Sequence, residues 1–215
     1  MKDFLPIIKA RSGLFRGIEE KELEKLFGCL EARKQTYRKE EYILREGEQT
    51  KALGLVLSGS VLIVLGPGQC FAEVFACVPG SVLNVSVEAK EDTTILFLNV
   101  GRILSICPDG CSFHAQLIQN LLIDMAQKNR KLSEKITHMA KRSTREKLLS
   151  YLSKQAVKNK SSEFEIPYNR QQLADYLGVD RSGLSVQLCR LRDEGMLTFH
   201  KNKIRLIYKD STGMI

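Results

Sequence analysis

From Cys111 to Met139, apolar or small residues recur in alternating steps of four and three: Cys111, Ala115, Ile118, Leu122, Met125, Asn129, Leu132, Ile136 and Met139. An α-helix brings such positions onto one stripe, and this alternation is the heptad seam of a coiled coil, with Ala115, Leu122, Asn129 and Ile136 at its a positions. At 1.5 Å per residue the seam would be roughly 40 Å long. A lone Asn at an a position is tolerated where two copies meet across a parallel two-stranded coiled coil, setting register at some cost in stability. A parallel homodimer is therefore expected, joined through Ile118, Leu122, Met125, Asn129, Leu132, Ile136 and Met139. Leu117 and Leu121 form a second stripe that can pack on the rest of the same chain.

The segments on either side of this helix have different periods. From Leu14 to about Lys34 the pattern is helical, with Leu23, Leu26, Phe27 and Leu30 three and four apart. From Tyr37 to Leu98 the runs are short, β-branched or alternating: Leu53–Leu57, Ser60–Leu65 and Thr94–Leu98. They are punctuated by Gly47, Gly59, Gly66, Gly68 and Gly80, which reads as an antiparallel barrel or roll. The expected division is a roll over 1–106, a dimerisation helix over 107–140 and a third domain over 141–215.

Charge separates that last domain from the others. The 215 residues carry +8, yet 141–215 hold 15 Lys/Arg against 8 Asp/Glu, a net +7, which leaves +1 for 1–140. A basic third of this kind suits a polyanion, because neutralising phosphates releases counterions. The 43% hydrophobic and 27% charged content is that of an ordinary globular chain. No stretch reaches bilayer length, and the short apolar run at Met1–Ala10 is broken by Pro6, so neither membrane insertion nor export is expected. Six scattered cysteines without a secretory pattern read as reduced thiols, and a cytoplasmic address follows as the expectation.

Asn169 to Leu197 carries the sharpest local chemistry. Asn169 can cap a helix with Gln172 at N3; Leu173, Ala174 and Leu177 give that helix an apolar face, and Gly178 ends it. Asp180 can cap a second helix whose C-terminus meets Gly195. Leu184, Leu188 and Leu191 would bury one side of it, leaving Ser182, Val186, Cys189 and Asp193 opposite, with Arg190 beside them. Two short helices joined by a tight glycine turn form a helix-turn-helix whose second helix can enter a major groove, Arg181 and Ser182 nearest the DNA.

The stretch RQQLADYLGVDRSGLSVQLCRLRDEGML, Arg170 to Leu197, resembles the Crp/Fnr family of bacterial transcription regulators. Supporting matches are Leu14–Gly17, EGEQTKALGLVLSGSV at Glu46–Val61, GPGQ at Gly66–Gln69 and REKLLSYL at Arg145–Leu152. The resemblance implies an α+β chain: an N-terminal cyclic-nucleotide-binding-like β-roll, a long dimerisation helix and a C-terminal winged helix-turn-helix, the wing being Thr198–Ile207. It implies a DNA-contacting set of Arg170, Gln171, Arg181, Ser182, Ser185, Val186, Cys189, Lys201 and Lys203. It implies double-stranded DNA, a second copy of the chain, RNA polymerase and a small-molecule effector as partners. The effector would sit near Glu73, Val74, Phe75, Leu83 and Asn84 on the roll and Asn129 and Arg130 on the helix, with Ala140–Thr144 as the hinge.

Departures from the family pattern bear on the effector, whose identity is left open. Members that bind a cyclic nucleotide carry Gly-Glu followed in a fixed frame by Arg-Ser or Arg-Thr, whereas that frame here holds Ala72-Glu73 and Leu83-Asn84. A buried phosphate would lack its bidentate Arg, which disfavours a cyclic nucleotide. An iron-sulfur cluster is disfavoured too, since Cys29 alone lies where another branch of the family clusters its cysteines. Only Ser60–Leu65 separates Gly59 from Gly66, where the family places a further hairpin. Val186 stands where a base-reading Arg is common, and suits a thymine methyl instead. Cys107, Cys111 and His114, at i, i+4 and i+7, have ligand chemistry but no fourth ligand and Pro108 between them, so packing is the expected role; Cys70 and Cys77 are expected core thiols. His114, His138 and His200 lie far apart with no paired acid or nucleophile, so enzymatic activity is not expected. The alternative is a ligand-binding or interaction module of the same fold that has lost DNA binding.

Overall fold

The computed structural model describes residues 4–62, 68–105 and 113–207. The chain divides into two compact units, Met1–Gln127 and Lys128–Ile215. In the first, helix α1 (Leu5–Arg11) carries Pro6 in its opening turn, where a missing N–H costs nothing. A 3₁₀ turn (Gly13–Phe15) follows, then α2 (Glu20–Cys29), opened by a capping box between Glu19 and Glu22. The helix expected over 14–34 is therefore split and shortened. Gly17 turns the chain at φ +79, and Glu31 at φ +51 ends the helical run just before the first strand.

The roll comprises β1 (Arg33–Tyr37), β2 (Tyr42–Leu44), β3 (Ala52–Ser58), β4 (Cys70–Phe71), a short α3 (Glu73–Cys77), β5 (Val87–Glu88), β6 (Thr93–Asn99) and α4 (Val100–Leu104). Among the described residues β1, β6, β3 and β4 form one antiparallel sheet in that order, and β2 pairs with β5. The runs read at 53–57 and 94–98 face each other, Leu53 opposite Leu98 and Leu55 opposite Leu96. Both strands are buried on both faces: Leu53, Leu55, Leu57, Leu96 and Leu98 enter one cluster, Val56 and Ile95 the other. That is why their sequence is a continuous apolar run rather than an alternation. Gly54 is required, because a Cβ there would lie 2.2 Å from Cζ of Phe71 across the β3–β4 pair. Of the run at 60–65, Val61 bridges Ala89; residues 63–67, Gly66 and Pro67 among them, lie outside the described residues, as do Cys107 and Cys111.

The long helix α5 spans Phe113–Met139. Leu117 and Leu121 are buried in the core of the roll with Leu14, Phe15, Leu26 and Leu55. Between them on the same stripe sits a polar residue, Asn120, 5% exposed. Its Nδ2 donates to the carbonyls of Leu14 (2.9 Å) and Arg16 (2.8 Å), and its Oδ1 accepts from Gln116 Nε2. The LFRG segment is thereby tied to α5.

The division between the units falls inside α5. The second unit continues with α6 (Thr144–Asn159), β7 (Glu163–Glu165), α7 (Arg170–Leu177), α8 (Arg181–Asp193), β8 (Leu197–His200) and β9 (Lys203–Leu206), the strands ordered β7-β9-β8. The expected hinge coincides with the break between α5 and α6, where Ser143 caps α6 and Glu146 completes a capping box. Leu148, Tyr151, Leu152, Leu173, Leu177, Leu184, Leu188, Leu191, Leu197 and Ile204 make the core of this unit. His138, 3% exposed, bonds Ser150 Oγ at 2.8 Å through Nδ1, and its ring lies 5.8 Å from Tyr151 and 6.4 Å from Tyr176. Among the described residues no helix is long and apolar enough to cross a membrane.

Candidate nucleic-acid interface and effector region

The helix-turn-helix is built by its caps. Asn169 Oδ1 accepts from Gln172 N at 2.9 Å, and Gln172 Oε1 accepts from Asn169 N at 2.9 Å. Gly178 closes α7 at φ +60, so the next cap, Asp180, follows after one residue. Asp180 accepts from Gly183 N at 2.8 Å and from the Ser182 hydroxyl. Those bonds, the Ser182 hydroxyl first, hold its carboxyl below the ordinary range. Leu184, Leu188 and Leu191 are fully buried, which fixes the outward face of α8.

That face carries the expected residues. Arg181, Ser182, Val186 and Arg190 are exposed; Ser185 and Cys189 are half-buried. Ser182 and Ser185 have both committed their hydroxyl hydrogens, Ser182 to Asp180 and Ser185 to the Arg181 carbonyl at 3.0 Å. What they offer outward is lone pairs, which suits a base amine donor. Val186, 48% exposed, offers a methyl surface. The wing is the β8–β9 hairpin, with Lys201 and Lys203 exposed at its turn and Lys201 in the left-handed region at φ +54. Arg145 on α6 makes a bidentate pair with Glu194 beyond the end of α8, 2.8 Å at the longer contact, which holds the Arg145 guanidinium charged.

Two residues of the DNA-contacting set behave differently. Gln171 Nε2 donates to Asp175 along α7 at 2.8 Å, and both are exposed. Arg170 is turned inward: Nη2 donates to the Lys201 carbonyl at 2.9 Å, and the guanidinium lies 4.9 Å from the Phe199 ring centre. Burial holds that guanidinium below its ordinary value.

In the roll, Glu73 and Leu83 are buried, Phe75 is half-buried, and Val74 and Asn84 are exposed. Ala72, preceding α3, adopts φ +62. Leu83 is fixed by its backbone, N–H to the Glu48 carbonyl and carbonyl to the Gly47 N–H, both 2.8 Å. The 74–85 segment exposes Val74, Val78, Val82 and Val85. Asn129 and Arg130 are exposed on α5 in the second unit; Arg130 lines a cleft of about 670 Å³ with Glu134, His138 and Lys154. His114 is buried, with Nε2 3.0 Å from the Arg102 carbonyl oxygen. Cys70 is buried and Cys77 half-buried.

Sequence reading missed Asn120, the His138–tyrosine cluster and the inward turn of Arg170. Asn120 had a signal, a polar residue three after Leu117 on an apolar stripe. Tyr151, Tyr168 and Tyr176, whose rings pack 5.1–6.2 Å apart, had none, because they meet across three different segments.

The cyclic nucleotide-binding domain model matches residues 34–109, and the Crp-like helix-turn-helix domain model matches 146–211. No curated protein matches the chain in sequence. Among solved structures the chain is similar to the c-di-GMP responsive global regulator CLP of Xanthomonas campestris, at 14% identity over 89% of this chain and 100% of that one, TM-score 0.57. It is similar to OCPA-complexed CprK, at 14% identity over 87% and 91%, TM-score 0.58. A CooA variant from Carboxydothermus hydrogenoformans matches at 21% identity over 83% and 85%, TM-score 0.50. These likenesses concern the fold: a cyclic-nucleotide-binding-like roll, a long helix and a winged helix-turn-helix. With the two domain models following one another in this order, the chain belongs to the Crp/Fnr family of transcription regulators.

Proposed function

We propose that the protein is a dimeric, DNA-binding transcription regulator controlled by an effector other than a cyclic nucleotide. The observation that carries the reading is the outward face of α8: Arg181, Ser182, Val186 and Arg190 are exposed on a doubly capped helix, in a domain of net charge +7. A helix so presented can lie in a major groove with its first turn at the base edges, while Lys201 and Lys203 reach phosphates. The seam supports dimerisation: Leu122, Leu132 and Ile136 are 66%, 61% and 65% exposed in the single chain. Apolar residues at heptad spacing and this exposure need covering. Two copies would then place their recognition helices one turn of DNA apart, about 34 Å.

Leu83 supports the negative half of the effector reading. It is 2% exposed where cyclic-nucleotide binders place an Arg, so a phosphate there would meet hydrocarbon. The fold does not prescribe an effector: of the similar structures, one is named as c-di-GMP responsive and another as OCPA-complexed. RNA polymerase as partner and a cytoplasmic address complete the proposal.

The test is fluorescence anisotropy of purified protein on DNA from its own upstream region, across a salt series, with Arg181→Ala alongside. Tight, salt-sensitive binding that Arg181→Ala weakens is the expected result. Binding no better than to random DNA, with or without cell extract, would overturn it in favour of a ligand-binding module.

A further inference from the structure

We infer that Arg170 is a positioning residue that clamps the wing in place for DNA contact, rather than a phosphate ligand; this rests on the DNA-binding reading above. Arg170 is the first residue of α7. It is half-buried. Its Nη2 donates to the carbonyl of Lys201, its plane lies 4.9 Å from Phe199, and Nη1 is buried with no hydrogen-bond partner among the described residues. Arg192, from α8, lies over the same ring at 5.9 Å. On the β7 side the Ile166 N–H donates to the Asn202 carbonyl at 2.9 Å. The wing turn is thus held at consecutive carbonyls, Lys201 from α7 and Asn202 from the strand leading into α7, with Phe199 as the platform between.

The turn needs holding. Lys201 sits at φ +54, a left-handed conformation that an L side chain adopts only at a cost. Lys201 and Lys203 are the long, exposed cations that gain from facing a phosphate backbone, and they can do so only if the hairpin keeps one orientation. A guanidinium suits the clamp because its planar fork donates in its plane while its face stacks on an aromatic ring. An ammonium can do only one of these at a time.

The experiment is anisotropy on the same upstream DNA across a salt series, with full-length protein, together with hydrogen exchange at the Asn202 and Lys203 amides. Each phosphate contact contributes about 0.9 to the slope of log affinity against log salt. The clamp predicts that Arg170→Ala lowers the slope by about 2, the loss given by Lys201→Ala with Lys203→Ala, and that all three substitutions together are no worse than the lysine pair. Arg170→Lys should not rescue, Phe199→Leu should reproduce the defect, and the wing amides should exchange faster in both. An Arg170→Ala effect that adds to the lysine pair, with rescue by Arg170→Lys, makes Arg170 a phosphate ligand and overturns the inference. Unchanged wing exchange in Arg170→Ala overturns it as well, and needs no DNA. If the wild-type protein fails to bind DNA, the functional reading falls, while the exchange measurement still judges the clamp alone.

Discussion

His138 shows how much one buried side chain can report. It is 3% exposed, bonded to Ser150 and edge-on to Tyr151. Burial first, then the charge of Lys154, hold its imidazole below the ordinary value, with Glu134 opposing. The unfolded chain titrates near the usual value of about 6.5, so below that pH it binds the proton that the folded state refuses. The stability of the second unit is therefore fully present above neutrality and falls as pH drops from about 6.5 toward the folded-state value. Denaturant midpoints at several pH values should show this decline in the wild type and a smaller one in His138→Gln; parallel declines would refute the assignment. Ala72 is the second informative residue. At φ +62 its Cβ crowds the backbone, so Ala72→Gly should raise the stability of the roll by roughly 0.5–1 kcal/mol in urea melts, and a loss would mean the side chain packs better than its dihedral suggests.

Helix α5 is amphipathic twice over. One stripe, Leu117 and Leu121, closes the roll; of the expected seam, Ile118 and Met125 pack partly buried against that same core, while Leu122, Leu132, Ile136 and Met139 are exposed. Asn120 lies within the buried stripe and supplies the donor for the buried Leu14 carbonyl and the partly buried Arg16 carbonyl. Asn120→Ala should cost the first unit about 2 kcal/mol, the penalty of orphaned buried acceptors, and should speed amide exchange through residues 14–17. An unchanged melting transition would show that water replaces the amide. Helices α7 and α8 were fully legible as elements, since caps, glycine stops and leucine spacing all lie within a few residues of one another. The helix read over 14–34 was not, because Leu23, Leu26, Phe27 and Leu30 set a period but neither Gly17 nor Glu31 advertises the break that tertiary packing imposes.

At the scale of the whole molecule the exposed seam is the feature that a single chain leaves unresolved energetically. Leu132→Asp with Ile136→Asp should give a monomer by sedimentation equilibrium and sharply reduce affinity for a two-half-site DNA, since each half-site then binds alone. A dimer surviving both changes would place the interface elsewhere. In the proposed dimer, Asn129→Val should raise the thermal midpoint while admitting other oligomers, because an amide buried at that seam would give up stability for register.

The features that the sequence by itself determined are those carried by neighbours along the chain: the heptad alternation from Ile118 to Met139, the Asn169–Gln172 and Asp180 caps, the glycine stops and the basic C-terminal third. Tertiary structure alone decided the burial of Leu83 and its backbone pairing with residues 47 and 48, the meeting of His138 with Tyr151 and Tyr176, and the inward turn of Arg170 onto Phe199 and Lys201. The physical reason is range. Helical period and capping are settled within about four residues, whereas the direction of a long side chain depends on which ring or carbonyl the fold brings beside it from some thirty residues away.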